Sequence, residues 1–508
     1  MENGEILVID LFAGPGGLGE GISAAKTSDG KSPFQIGISV EKDFHAHKTL
    51  TTRAFFRSLK TKSQPLDNYY NYLHGKITRD ELFELHPDIA TEANQETLNG
   101  AKELGKDNKL IHKRIKDLVK EHKGPKVLIG GPPCQAYSLA GRSRNAGNKS
   151  YIAEEDTRHF LYKEYLEVIC LAKPDIFVME NVRGILTAKV NGQVMFPQIL
   201  EDLRSPGSVT KHKKIPKYKI YSLVADAENP EDPQYKNPTD FLIRCEQYGI
   251  PQARHRVILL GIREDIAAIP ETLNICDHQV SVEQAISDLP NLRSGFSKQK
   301  DNAKDWETAV TKNAAKLKII LEKQFNEESA NSLNLLPKIG LTRKENALSN
   351  RAPIMPEPLK SWYIDPNLNV VLNHETRGHM IDDLLRYSYC AAYAQIQGLS
   401  PKSRHFPQEL APAHANWDTG THSDRFRVQV ASKYATTVTS HISKDGHYFV
   451  HYDLQQCRSL SVREAARLQT FPDNYIFEGT RTNQYVQVGN AVPPYLAQQI
   501  GEVILRIF

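Results

Sequence analysis

Hydrophobic positions along the chain fall into two textures. Up to about residue 265, short apolar runs end in polar or glycine-rich punctuation. Ile6-Leu7-Val8-Ile9-Asp10-Leu11-Phe12 is one such run. Gly14, Gly16, Gly17 and Gly19 follow it, then Ile22 to Ala25, which reads as strand, glycine turn and helix. Phe34 to Val40 predicts a second strand ending at Glu41-Lys42-Asp43, and Val127 to Ile129 a third. Asp175 to Met179 predicts a strand ending at Glu180-Asn181, and Val257 to Ile262 another. Leu161, Tyr165, Val168 and Leu171 have helical spacing and predict a helix over about 157–171. Strands alternating with helices imply an α/β sheet with ligands at the carboxyl ends of its strands. Phe12, Glu41, Cys134 and Glu180 all fall just after predicted strands.

Beyond about residue 265 the periodicity fades. Pro, Asn, Ser and isolated aromatics dominate to about 430, which predicts a second domain of irregular structure with short strands. Residues 57–123 are polar, charged and partly helical, an elaboration on the first half. Ser461 to Thr470 reads as a helix in which Ser461 is the N-cap and Glu464 completes a capping box. A last helix runs to Phe508.

Composition narrows the class. A chain of 508 residues suggests two or more domains. A net charge of +4 is compatible with a nucleic-acid partner but discriminates little, because clustering matters more than the sum. The six cysteines, at 134, 170, 245, 276, 390 and 457, form no CxxC pair, so neither a zinc site nor a disulfide framework is expected. A reduced cytoplasm fits that usage. No signal-peptide pattern and no apolar run of membrane-spanning length are found.

The candidate chemistry centres on Cys134, in Gly130-Gly131-Pro132-Pro133-Cys134-Gln135. Two prolines fix the turn after the third strand, so the thiol is expected to be exposed and aimed. A free thiol has a pKa near 8.5 and is only about a tenth thiolate at pH 7.5. Nearby arginines would raise that fraction. Arg254 and Arg256 alternate on an extended segment and share one face. Glu180 follows a strand that reaches the same crevice. The glycine loop and Glu41 suit a nucleoside cofactor: glycines admit backbone N–H groups to a ligand, and an acid after the second strand accepts from ribose hydroxyls.

Six blocks in order give the chain a marked resemblance. They are Asp10-Leu11-Phe12-Ala13-Gly14-Pro15-Gly16-Gly17, Gly131-Pro132-Pro133-Cys134-Gln135, Glu180-Asn181-Val182-Arg183-Gly184 and Gln252-Ala253-Arg254-His255-Arg256. Arg463 to Gln469 with Phe471-Pro472-Asp473, and then Gly489-Asn490-Ala491-Val492-Pro493-Pro494, complete the set. The chain resembles the DNA (cytosine-5)-methyltransferases of bacterial or phage, restriction-modification type.

The resemblance implies a Rossmann-like, S-adenosylmethionine-dependent α/β sheet with a smaller irregular target-recognition domain. It divides the chain into a catalytic and cofactor-binding part at 1–264 with an insertion at about 50–110, recognition at 265–455, and a returning segment at 456–508. It implies that Cys134 adds to carbon 6 of a flipped cytosine, that Glu180 holds the ring nitrogen and amine, and that Arg256 and Arg254 assist. Phe12 would stack on the cofactor adenine, and Gly14 and Gly16 would line its methionine end. Glu41 would bind the ribose and Asn490 would close the pocket, which Ala13, Gly17, Pro132 and Ala491 complete. Gln135, Ser138 and Arg142 would meet DNA from the catalytic loop. Asn373, His374, Arg377, Arg425 and Arg427 are the candidates for reading it. The implied setting is a monomer acting on double-stranded DNA at the cytoplasmic nucleoid, beside a cognate restriction or defence system.

One departure stands out. The family's adenine-contacting acid has no counterpart in the matching stretch, Ile111 to Ile115. Three rival readings are an RNA methyltransferase on the same scaffold, a non-catalytic DNA-binding relative and a nicotinamide oxidoreductase. The large recognition region argues against the first, the intact Cys134, Glu180 and arginine pair against the second, and the Pro-Pro-Cys-Gln turn against the third.

Overall fold

In a computed structural model, the structure describes residues 4–133, 158–190, 192–412, 417 and 424–508. A seven-stranded sheet carries the first half. Its strands are β1 (Ile6–Leu11), β2 (Phe34–Val40), β3 (Lys126–Gly130), β4 (Ile176–Val182), β5 (Tyr218–Tyr221), β6 (Leu242–Arg244) and β7 (His255–Arg263). Spatial order is β2-β1-β3-β4-β7-β5, with β6 also paired to β7. The first four strands run parallel, and β7 runs antiparallel to β4, β5 and β6. This is the Rossmann-like α/β sheet expected from the sequence.

The parallel strands are apolar on both faces because helices cover both. Along β1, Leu7, Ile9 and Leu11 enter one core, while Ile6 and Val8 enter the other. The covering helices begin with α1 (Gly17–Ala24). The insertion follows as α2 (Phe44–Thr61), α3 (Asp67–Leu73), α4 (Arg79–Leu85) and α5 (Pro87–Glu96), packed around Phe55, Phe56 and Tyr69. Then come α6 (Asn108–Glu121) and α7 (Arg158–Ala172).

The second half departs from expectation. Its strands are indeed short, two residues each at Gly295–Phe296, Gly378–His379 and Ala435–Thr436. It also contains two long helices, α8 (Ala303–Gln324) and α9 (Ile381–Gln397), where the sequence pattern predicts irregular structure. In α8 the buried Trp306, Val310, Ala314, Leu317 and Leu321 recur every three or four residues, a stripe diluted by Lys and Glu between them.

The chain then forms α10 (Val462–Leu468), α11 (Arg481–Asn490) and α12 (Pro494–Leu505). The capping box at Ser461 and Glu464 is present. Helix α12 returns to the sheet and lies on α1. Contact is so close that a Cβ at Gly21 would stand 2.1 Å from the Pro494 carbonyl oxygen. Among the described residues no helix is long and apolar enough to cross a membrane.

Candidate active site

The carboxyl ends of β1 to β4 open into a crevice of about 1280 Å³. The glycine turn forms one wall. After β1, Phe12 takes φ +56°, a left-handed conformation that costs a non-glycine residue about 1–2 kcal/mol. That bend carries Ala13 N–H to the Val40 carbonyl at 3.0 Å. Gly14 N–H then donates to Glu41 Oε2 at 2.8 Å, and Asp43 N–H to Glu41 Oε1 at 2.7 Å. Glu41 thus joins the ends of β1 and β2, and burial raises its pKa despite those donors. A Cβ on Gly14 would meet nothing within 4 Å, so space lies open above the turn.

Gly16 and Gly17 do not line the crevice. The place of a Cβ on Gly17 is 2.3 Å from the Val492 carbonyl, and on Gly16 it is 2.8 Å from Leu50. Both glycines let other segments close on the turn. That approach brings Asn490 and Ala491 to the crevice wall.

The opposite wall is built by β3, β4 and β7. Glu180 on β4 and Arg256 on β7 form an ion pair, Oε1 to Nε, at 2.7 Å. Gly131 makes room for it: a Cβ there would stand 2.6 Å from Glu180 Oε2. Asn181 Nδ2 donates to the Pro132 carbonyl at 3.0 Å, tying the end of β4 to the Pro132-Pro133 turn. Cys134, Gln135, Ser138 and Arg142 lie outside the described residues.

Arg254 is placed differently from Arg256. It borders the crevice, yet it is buried and its guanidinium donates to the Val438 carbonyl at 2.7 Å and the Gly489 carbonyl at 3.2 Å. Gln252 works beside it: its amide donates to the Leu468 carbonyl at 2.9 Å, and its oxygen accepts from Val438 N–H at 2.6 Å. The block therefore fastens the second half of the chain to the sheet, and Arg256 alone of the two arginines pairs with Glu180.

Three of the proposed DNA-reading residues are corrected by the structure. His374 is fully buried between Ser461 Oγ and the Pro290 carbonyl, both at 2.8 Å. Arg377 is buried and donates to the Ser443 and Lys444 carbonyls. Asn373 spends both ends of its amide on the backbone of Phe477. His374 and Asn373 thus spend their polar groups within the protein, and the one unpartnered nitrogen of Arg377, its Nε, is buried. Arg425 and Arg427 are half-buried, Arg425 at 3.9 Å from Asp445 and Arg427 paired with Asp424.

Other residues enter unannounced. Asp10 lines the crevice at 1 % exposure, and neither carboxylate oxygen has a hydrogen-bond partner. Burial drives its pKa well above the usual carboxylate range. Its place within Asp10-Leu11-Phe12 was the available signal. The stretch Ile111 to Ile115 lies in α6, with Ile111 and Ile115 buried in the core away from the crevice. Lys102, Glu103 and Leu104 line the crevice instead, held by Lys102 N–H on the Glu41 carbonyl at 2.8 Å. Thr437, Thr439 and Ser440 reach it from the second half.

Among the described residues no group of His, Cys, Asp and Glu could hold a metal ion.

Comparison with known proteins bears on this geometry. The family model for C-5 cytosine-specific DNA methylases matches residues 92–506. The chain is 32% identical to the type II methyltransferase M.Bpa9945I of Bacillus paralicheniformis over 522 residues, covering 98% of each chain. It is 25% identical to the DNA (cytosine-5-)-methyltransferase M.ApeKI of Aeropyrum pernix over 407 residues, covering 75% of this chain and 81% of that one. The chain belongs to the C-5 cytosine-specific DNA methylase family.

Proposed function

We propose that this DNA (cytosine-5)-methyltransferase, of restriction–modification type, acts through a covalent Cys134 adduct on a cytosine flipped out of duplex DNA. The observation that carries the reading is the Glu180–Arg256 pair packed against Gly131, beside the Pro132-Pro133 turn that leads into Cys134. Carbon 5 of cytosine is a poor nucleophile. Addition of the Cys134 thiolate to carbon 6 forms an S–C bond and makes carbon 5 enamine-like. Glu180 holds the ring edge at the nitrogen and amine where charge changes during addition, and Arg256 holds the Glu180 carboxylate in place. After carbon 5 is methylated, its proton leaves, the freed electron pair forms the C5=C6 bond and the S–C6 bond breaks with its pair on sulfur, which restores the aromatic ring and the Cys134 thiolate. Extruding the base costs a few kcal/mol of stacking and pairing.

The other cysteines support Cys134 by default. Cys170, Cys245, Cys390 and Cys457 are buried, and burial raises each thiol pKa, to about 12 for Cys245 and Cys457. Cys276 is exposed, with its pKa also raised.

The crevice residues fit S-adenosylmethionine. The unpartnered Asp10 carboxyl suits an ammonium group, Phe12 suits an adenine face and Glu41 has lone pairs left for ribose hydroxyls. Lys102 to Leu104, which line the same crevice, are the candidates for meeting the adenine edge. When bound, this cofactor supplies an electrophilic methyl group. We assign catalysis to 1–264 with the returning 456–508 segment, and target recognition to 265–455. The packing of α12 on α1 supports that division. The setting would be the cytoplasmic nucleoid, where such DNA lies.

Bisulfite sequencing of DNA from cells expressing the chain tests the reading. Protected cytosines in one sequence context are expected, and they vanish with Cys134→Ala. Unprotected DNA, or protection that survives the substitution, contradicts it.

A further inference from the structure

A lysine face lies at the end of the sheet opposite the crevice. On α6, Lys113, Lys116 and Lys120 recur at three and four residues, an exposed stripe opposite the buried Ile111, Ile115 and Leu118. Lys123 continues it past the helix end. The loop before β5 adds exposed Lys211, Lys213, Lys214 and Lys217.

Backbone bonds join these segments along the amino-terminal edge of the sheet. Asp175 N–H donates to the Lys126 carbonyl at 2.8 Å, Arg263 N–H to the Asp175 carbonyl at 3.0 Å, and Glu264 N–H to the Lys217 carbonyl at 3.0 Å. Lys173, also exposed, donates to the Lys214 carbonyl at 3.2 Å. On the flank, His212 pairs with Glu167 of α7 at 2.5 Å, next to α6.

The charge is not neutralised locally. Among the described residues none of these lysines forms an ion pair, while Lys126 and Arg263 already neutralise Asp175. The exposed acids Asp117, Glu121, Glu264 and Asp265, the last also paired with Arg263, are outnumbered. The crevice opens at Gly131 and Glu180, so five residue steps along each strand, from Lys126 and from Asp175, separate it from this face, roughly 17 Å.

We propose that this face is a second, sequence-independent DNA-contact surface that holds the phosphate backbone of a duplex segment other than the one in the crevice. Lysines are compact, mobile point charges suited to phosphates, and they supply the counterion-release affinity that base contacts do not. A protein partner would call for aromatic or Met anchors, whereas protein interfaces are depleted of lysine. The inference rests on DNA being the substrate.

The test compares the parent with Lys116→Gln, Lys120→Gln, Lys213→Gln and Lys217→Gln combined, and with the two pairs separately. Binding is measured to a duplex of several hundred base pairs and to one of roughly 15, across a salt series. On the long duplex, affinity at about 0.1 M salt is expected to fall at least tenfold, with the log–log salt slope reduced by about 0.9 for each phosphate that a removed lysine no longer neutralises. Affinity for the short duplex and its methylation rate should not change. Equal long-duplex affinity and slope in parent and variants overturns the proposal, and is the outcome if the face docks an acidic protein instead. Methyl transfer by the parent is recorded in the same preparations. Its absence would strike the catalytic reading and leave the binding comparison interpretable.

Discussion

Glu180 and Arg256 meet across β4 and β7 at 2.7 Å, and Arg256 faces Val182 in the register while Ile258 faces Glu180. The pair is therefore diagonal, with both side chains largely buried at 14% and 11% exposure. The Arg256 Nε makes no well-directed hydrogen bond despite the short distance, so the contact is chiefly one of charge. A carboxylate so held has its position fixed before any base arrives.

Arg256→Ala should slow single-turnover methyl transfer by about 10²–10³, the effect of removing one preorganised charged partner. Cofactor affinity, measured by calorimetric titration, should change less than threefold. An unchanged transfer rate would show that the pair is only structural.

Arg254→Met should act on stability. It orphans the Val438 and Gly489 carbonyls, each buried acceptor costing about 1–3 kcal/mol. Urea unfolding should show a loss of about 2–4 kcal/mol. Because Gly489 adjoins Asn490 at the crevice, the KM for S-adenosylmethionine should rise as well. Full stability in the variant would return Arg254 to direct chemistry.

These arginines show how far the sequence was legible. Block order and strand ends brought Phe12, Glu41, Glu180 and Arg256 to one crevice, because the first three lie at the carboxyl ends of parallel strands and Arg256 at the start of the antiparallel β7 that pairs with β4 there. Burial was not legible. His374 and Asn373 sit in a polar cluster, and their partners Pro290 and Phe477 lie 84 and 104 residues away. Long-range contacts of that kind leave no local pattern. The crevice wall at Lys102 to Leu104 escaped for a related reason: it is a loop, placed by Lys102 N–H on the Glu41 carbonyl, Glu103 N–H on Asp107 and the Lys42–Glu103 ion pair.

Asp10→Asn keeps the side-chain shape and removes the group that can ionise against a cationic ligand. The affinity for S-adenosylmethionine should fall at least tenfold, about 1.4 kcal/mol. The thermal midpoint should hold, because the amide replaces a buried, unpartnered carboxyl that burial already pushes towards its neutral form. Unaltered affinity would remove Asp10 from the cofactor site.

Buried histidines set an acid limit on stability. Burial lowers the pKa of His374 from 6.5 to about 4 and that of His451 to about 3. Below pH 6.5 the unfolded chain takes up protons that the folded chain refuses, so stability is complete above 6.5 and falls as pH drops towards 4. The loss from His374 alone should be on the order of 3 kcal/mol at pH 4. His374→Gln should cost stability at pH 7.5 and flatten the slope between pH 6.5 and 4, as read from urea midpoints. An unaltered slope would place the acid sensitivity elsewhere.

The central claim is a covalent bond from Cys134 to the target base. Duplex DNA carrying 5-fluorocytosine, incubated with the enzyme and S-adenosylmethionine, tests it most directly, because fluorine cannot leave carbon 5 as a proton does. Intact mass should show one protein–DNA adduct, peptide mapping should place it at Cys134, and Cys134→Ala should give none. An adduct at another residue, or methylated DNA with no adduct trapped, would contradict the account.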